Sequence, residues 1–103
     1  SGNYVTDGPF LWRTASGALL LLWSSFVGGG QYAQGICRSE SGTVHGPWQH
    51  DPIPLYAEDG GHGMLCRTLS GHVMLTLHRP NASPHERAVL LPVREIGSHL
   101  ILC

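Results

Sequence analysis

An acid and a histidine share one short glycine-rich stretch, Asp59-Gly60-Gly61-His62-Gly63-Met64. A carboxyl can accept or release a proton, and an imidazole titrates near neutral pH and ligates metals. Glycine frees the backbone to take positive φ and lets another group approach closely. The stretch precedes a strand-like run, so it presents Asp59 and His62 together as a candidate site. A shorter relative, Asp7-Gly8-Pro9, precedes another such run near the start of the chain. Two further residues belong to this inventory. His78 ends a strand-like run before Arg79-Pro80, where it reaches a site or bonds a loop carbonyl, and Asp7 either gives up a proton or caps its turn with a side-chain oxygen. Glu40, Glu58 and Glu86 are the substitutes for Asp7 as a proton donor.

The elements that must position these groups read as strands. Phe10 to Thr14 is aromatic and apolar and stops at Ala15-Ser16-Gly17, a hairpin signal. Ala18 to Phe26 holds four consecutive leucines and Trp23, which fits a strand covered on both faces. Gly28-Gly29-Gly30 interrupts the chain, and a third run extends from Gln31 to Ser39. Gly46-Pro47-Trp48 marks a local break. Pro52 and Pro54 restrict 51–56 to an edge strand or an extended connector. Beyond the glycine-rich stretch come Met64 to Thr68, the turn Leu69-Ser70-Gly71, and His72 to His78. Ala88 to Arg94 and His99 to Leu102 close the series. No segment combines a helix cap with a 3.6-residue period.

The chain repeats itself. Arg13-Thr14-Ala15-Ser16-Gly17 returns as Arg67-Thr68-Leu69-Ser70-Gly71, 54 residues on, and Leu20-Leu21 falls on Met74-Leu75 in the same register. Asp7-Gly8 matches Asp59-Gly60 at an offset of 52, which implies two extra residues in the second glycine loop. Self-similarity near 50 residues, all in strands, points to β-propeller blades of four antiparallel strands each. The expected organisation is all-β, with a first blade over about 4–56 and a second over 57–103. Two blades do not close a ring. The reading therefore implies either further N-terminal blades or self-association through exposed blade faces.

Composition narrows the classes of partner. The chain of 103 residues fits one small domain, which buries about two thirds of its unfolded surface. Only 13% of residues are charged, the formal net charge is −1, and lysine is absent, so nothing attracts nucleic acid or an anionic membrane. The longest apolar run, Ala18 to Trp23, is far short of the roughly 20 residues of a membrane span. The opening Ser1-Gly2-Asn3 lacks a basic start and an apolar core, and reads as a fragment boundary rather than a leader. Cys37, Cys66 and Cys103 give an odd count without paired spacing; Cys37 and Cys66 are expected as small buried hydrophobes, and they fix no compartment.

Six motifs now stand in order: Asp7-Gly8-Pro9-Phe10-Leu11, Leu22-Trp23-Ser24-Ser25, Ser39-Glu40-Ser41-Gly42, Gly46-Pro47-Trp48, the stretch from Asp59 to Met64, and His78-Arg79-Pro80-Asn81. Together they resemble the two C-terminal blades of glycoside hydrolase family 43, five-bladed propellers acting on arabinose- and xylose-containing polysaccharides. The resemblance runs from Asp7 to about Leu102. It implies hydrolysis by a general base, a second acid that tunes it, and a general acid. The first two would lie in earlier blades, so this chain alone would be catalytically incomplete and inactive. The general acid of the family is usually a glutamate before Gly-Pro, and Asp7 stands in that position with a side chain one methylene shorter.

An inverting glycosidase holds its acid and base roughly 6.5–9.5 Å apart. The acid must keep its proton near neutral pH, which an apolar or like-charged setting favours. Phe10, Trp12 and Trp23 could form apolar walls, and aromatic faces also stack on sugar rings. The resemblance makes His62 a channel-lining residue that holds a metal ion or its waters, calcium in the complete propeller; the alternative is a histidine bonded within its turn. Phe10, Trp23, His62 and His78 are the substrate-binding candidates, and no cofactor is required. Competing readings are a non-catalytic carbohydrate-binding or structural propeller unit, and a metal-binding β domain built on the seven histidines, which no ligand spacing supports.

Overall fold

The computed structural model describes residues 5–103, so the expected first-blade boundary at residue 4 lies outside the described residues. Eight strands form two four-stranded antiparallel sheets. The first contains β1 (Asp7–Arg13), β2 (Leu19–Phe26), β3 (Tyr32–Ser39) and β4 (Trp48–His50), in spatial order β1-β2-β3-β4. The second contains β5 (Gly61–Arg67), β6 (Val73–Arg79), β7 (Arg87–Ile96) and β8 (His99–Leu102), in the same sequential order. This is the all-β pair of propeller blades that the repeat predicts.

The repeat is visible at the level of single hydrogen bonds. Thr14 N–H donates to the Ala18 carbonyl and Gly17 N–H to the Thr14 carbonyl, at 2.9 and 3.0 Å; Thr68, His72 and Gly71 repeat both bonds at 2.7 and 2.9 Å. The threonine hydroxyl of each turn accepts the N–H four residues on, at 3.0 Å in both. Gly17 and Gly71 take φ of 94° and 90°, which this turn requires and which a side chain would oppose.

Strand register corrects the expected offset at the glycine loops. Asp7 pairs with Ser24 and Phe10 with Leu22; Gly61 pairs with His78 and Met64 with Thr76. Each first strand therefore carries a bulge at the same place, and the 54-residue offset holds throughout. Asp7 corresponds to Gly61, not to Asp59, and Gly8 (φ 54°) corresponds to His62 (φ 56°). The sequence match of Asp7-Gly8 with Asp59-Gly60 was a coincidence of composition, and no insertion exists.

The sheets pack face to face. Alternation along β2 turns Leu20, Leu22 and Ser24, all fully buried, toward the second sheet, where Leu65, Val73, Leu75, Leu77 and Val93 complete the core. Burying each such leucine contributes about 1.5–3 kcal/mol. A polar fringe aligns the blades at one end. Trp12 Nε1 donates to Glu95 at 2.7 Å, Ala15 N–H to the same carboxylate at 2.9 Å, and Arg38 Nε to the Ser98 carbonyl at 2.9 Å. The outward faces remain open: Leu11 is 46% exposed on the first sheet, and Met64 and Leu90 are 53% and 58% exposed on the second.

Three local expectations are refined. The segment 51–56 is a connector with a single bridge, Gln34 to Tyr56, rather than an edge strand. The fourth strand of the first blade is instead Trp48–His50, hidden in the sequence behind Gly46-Pro47. Cys37 is buried as expected, but Cys66 is exposed, because alternation along β5 points it away from the first sheet.

Candidate functional site

At the end of the blade interface where both bulges lie, the candidates Asp7, His62 and His78 converge around Tyr32. The bulge in β1 aims the Asp7 carboxyl at Tyr32, whose phenol donates to Asp7 Oδ2 at 3.1 Å. Tyr32 is buried on β3 and stacks on His78 with ring centres 5.7 Å apart and an interplanar angle of 21°. His78 in turn lies 6.4 Å from the His62 ring. The His62 imidazole rests directly on the backbone of Gly8, where a Cβ would lie 2.9 Å from Cδ2 and 3.0 Å from Nε2. Any side chain at residue 8 would displace the ring, so the glycine beside Asp7 admits the histidine of the other blade.

His62 is exposed and holds a left-handed backbone, which is uncommon outside glycine and marks functional segments. Its neighbouring glycines do not serve to make room for the imidazole. They make room for something else. A Cβ on Gly61 would meet Ser24 Oγ and the Tyr32 ring at 2.8 Å, and one on Gly63 would meet Gln34 Oε1 at 2.5 Å. Both glycines let the first blade's side chains reach the backbone of the second.

Asp59 lies outside the reactive cluster. Its carboxylate accepts the Tyr32 N–H at 3.1 Å and the Asn81 N–H at 3.2 Å, joining the two blades beneath the site. Asn81 Oδ1 accepts from His78 Nε2 at 2.9 Å, so His78 bonds a loop side chain while packing on Tyr32. Asp59 thus fixes Tyr32 directly and reaches His78 through Asn81.

Two aromatic candidates point elsewhere. Phe10 packs against the core between the sheets and stacks on Trp12, with ring centres 6.4 Å apart. Trp23 faces the opposite side of the first sheet, over Gly35 and edge-on to His50, with its indole N–H buried and unbonded. The physical reason is strand alternation: Ser24, not Trp23, faces the site. Tyr32 and Gln34 were missed because a lone tyrosine or glutamine in a strand has no motif, and Ser24 was passed over for the Trp23 beside it; only the pairing of β2 with β3 brings them under the bulges.

Among the substitute carboxylates, Glu40 and Glu58 are exposed. Glu86 lines an open cavity of about 320 Å³ with His62, Met64 and His78. Its own backbone N–H, then the Ser83 hydroxyl, hold its carboxyl below the usual range, which suits a carboxylate rather than a proton donor. Among the described residues no three His, Cys, Asp or Glu side chains gather as a metal-holding set. His62 would supply one nitrogen where calcium takes six to eight oxygens, so the residues of these two blades do not by themselves fit that ion.

Burial pushes the Tyr32 phenol up from its ordinary value of 10.0, and the hydrogen bond to Asp7 adds to the rise. A proton held more tightly in the folded state stabilises it below the unfolded pKa and is lost as pH rises through the folded one. Denaturant midpoints are therefore expected to fall from about pH 9 upward, where the Cys37 thiol begins to lose its proton in the unfolded chain, and more steeply above about pH 10 as Tyr32 follows. Tyr32→Phe should flatten that slope in part, since burial also raises the Cys37 thiol from 9.0. An alkaline slope identical in Tyr32→Phe would contradict this account.

Two tandem four-stranded antiparallel sheets with bulged first strands define a pair of β-propeller blades. The chain superposes on an endo-arabinase from Bacteroides thetaiotaomicron VPI-5482 with a TM-score of 0.84 and 43% sequence identity, over 89% of this chain and 32% of that one. It superposes on a thermostable family-43 glycoside hydrolase with a TM-score of 0.74 and 18% identity, over 94% of this chain and 35% of that one, a likeness of fold alone. The chain thus spans about a third of the length of either neighbour. No protein-family model matches the chain, and no curated protein sequence matches it either.

Proposed function

We propose that these blades belong to a glycoside hydrolase that cleaves O-glycosidic bonds in arabinose-containing polysaccharides, with xylose-containing chains as the second substrate class. The observation that carries this reading is the convergence of Asp7, Tyr32, His62 and His78 on one rim of a fold 43% identical to an endo-arabinase. Asp7 serves as general acid. It hands a proton to the leaving glycosidic oxygen through Oδ1, while Tyr32 fixes Oδ2. His62 and His78 line the rim and hydrogen-bond sugar hydroxyls. The base that activates water on the other face of the sugar comes from further blades, as does the residue that tunes it. A calcium ion beside His62 would need oxygen donors from those blades as well. On this reading the two blades alone hydrolyse nothing.

The test is release of reducing ends from linear arabinan, and from xylan in parallel, by the full-length protein that carries residues 1–103. Release from arabinan supports the reading, with the two blades expressed alone giving no more than buffer. Binding of arabinan without release would favour a non-catalytic carbohydrate-binding unit. The departure at Asp7 from the usual glutamate is the feature that motivates that second reading.

A further inference from the structure

The segment that carries His62 is held from beneath by two polar side chains of the other blade. Ser24 and Gln34 are both fully buried. Ser24 Oγ accepts the His62 N–H at 2.7 Å and donates to Gln34 Oε1 at 3.2 Å. Gln34 Oε1 also accepts the Gly63 N–H at 2.7 Å, and Gln34 Nε2 donates to the Trp23 carbonyl at 3.1 Å. Two successive N–H groups of the bulge are thereby bonded across the blade interface. Buried polar groups are tolerated only when paired, and here the pairing is spent on one left-handed residue.

The blade itself does not require this clamp. Fifty-four residues on, the positions of Ser24 and Gln34 are occupied by His78 and Ala88, in a second sheet of the same register. The glycines on either side of His62 are explained by the clamp, since a side chain on either would strike Ser24 or Gln34. We infer that Ser24 and Gln34 are positioning residues that lock the His62 bulge against Gly8 beside Asp7, an inference that rests on the proposed glycosidase site. Released from the clamp, His62 relaxes from its strained φ and its imidazole leaves Gly8.

Amide hydrogen exchange and steady-state kinetics on the full-length protein test this. Ser24→Ala and Gln34→Leu should each speed exchange at the His62 and Gly63 amides by at least about tenfold, with Leu65 and Leu75 unchanged within about twofold. Gln34→Glu keeps the Oε1 acceptor, and its protonated second oxygen can still donate to the Trp23 carbonyl, so at acid pH it should preserve slow exchange. For arabinan, kcat should fall on the order of ten- to a hundredfold in the first two variants, with KM nearly constant. Unchanged exchange at His62 and Gly63 would overturn the inference, and so would an equal rise across both sheets. A wild-type protein that releases nothing from arabinan removes the glycosidase reading, while the exchange pattern still decides whether the clamp exists.

Discussion

On the proposed glycosidase reading, Asp7→Asn in the protein that carries these blades is expected to lower kcat on arabinan by on the order of a hundred- to ten-thousandfold, the usual contribution of a positioned general acid. Asparagine is nearly isosteric, and its side-chain oxygen can still accept from Tyr32, so the geometry at 3.1 Å should survive. What disappears is the transferable proton. The dependence on leaving group then identifies the role. A sugar hydroxyl leaves poorly without protonation, whereas a nitrophenolate leaves well unaided. The loss should therefore be large on arabinan and small on a nitrophenyl arabinofuranoside. Equal losses on both substrates would mean that Asp7 acts otherwise, by orienting Tyr32 or binding the ring. The rate with glutamate at position 7 is a second readout. A longer side chain would break the distance to Tyr32, and an error of about an ångström can cost about a hundredfold.

Gly63→Ala is expected to be the most damaging small substitution in the site. The added methyl would sit 2.5 Å from Gln34 Oε1, 3.0 Å from Leu75 Cδ1 and 3.1 Å from the Thr76 carbonyl oxygen. None of these can give way freely: Gln34 and Leu75 are fully buried, and the carbonyl is backbone. Forcing extra volume into such a place costs about 1–3 kcal/mol. Displacing Gln34 breaks its bond to the Gly63 N–H as well, and an unpaired buried group costs about 1–3 kcal/mol more. A fall of roughly 2–6 kcal/mol is a large part of the stability of a small domain. Chemical denaturation would measure it. A Gly63→Ala protein with an unshifted midpoint would mean that the interface at this point is far looser than its geometry.

Strand content, blade count and turn chemistry were all legible in the sequence, because each is a local property. Arg-Thr-x-Ser-Gly dictates the same turn twice, since its threonine hydroxyl and its glycine with φ near 90° act within five residues. Period and offset followed from that turn. Asp7, His62 and His78 could be singled out as well, since acid and imidazole groups beside glycine or at strand ends are conspicuous. Phe10 and Trp23 were conspicuous for the same reason, and composition alone carries no information on which face of a sheet they occupy.

The Asp59-Gly60 and Gly61-His62-Gly63 stretch shows where that information ends. Its residue types announced a site and set Asp59 beside His62, but Asp59 is tied to the Tyr32 and Asn81 amides, and Gly8, next to Asp7 in the other blade, lies against the His62 ring instead. The equivalence of Gly8 with His62 appears only when β1 is paired with β2 and β5 with β6, because a bulge shifts register without changing composition. Tyr32, Ser24 and Gln34 became site residues for a similar reason, being more than twenty residues from His62 in the chain and brought to it by packing of one sheet on the other. The sequence by itself determined two four-stranded blades with a shared turn and the chemical groups on them. The tertiary structure alone decided which groups meet, since hydrogen bonds and ring contacts between blades depend on register and facing, and neither is written in a single strand.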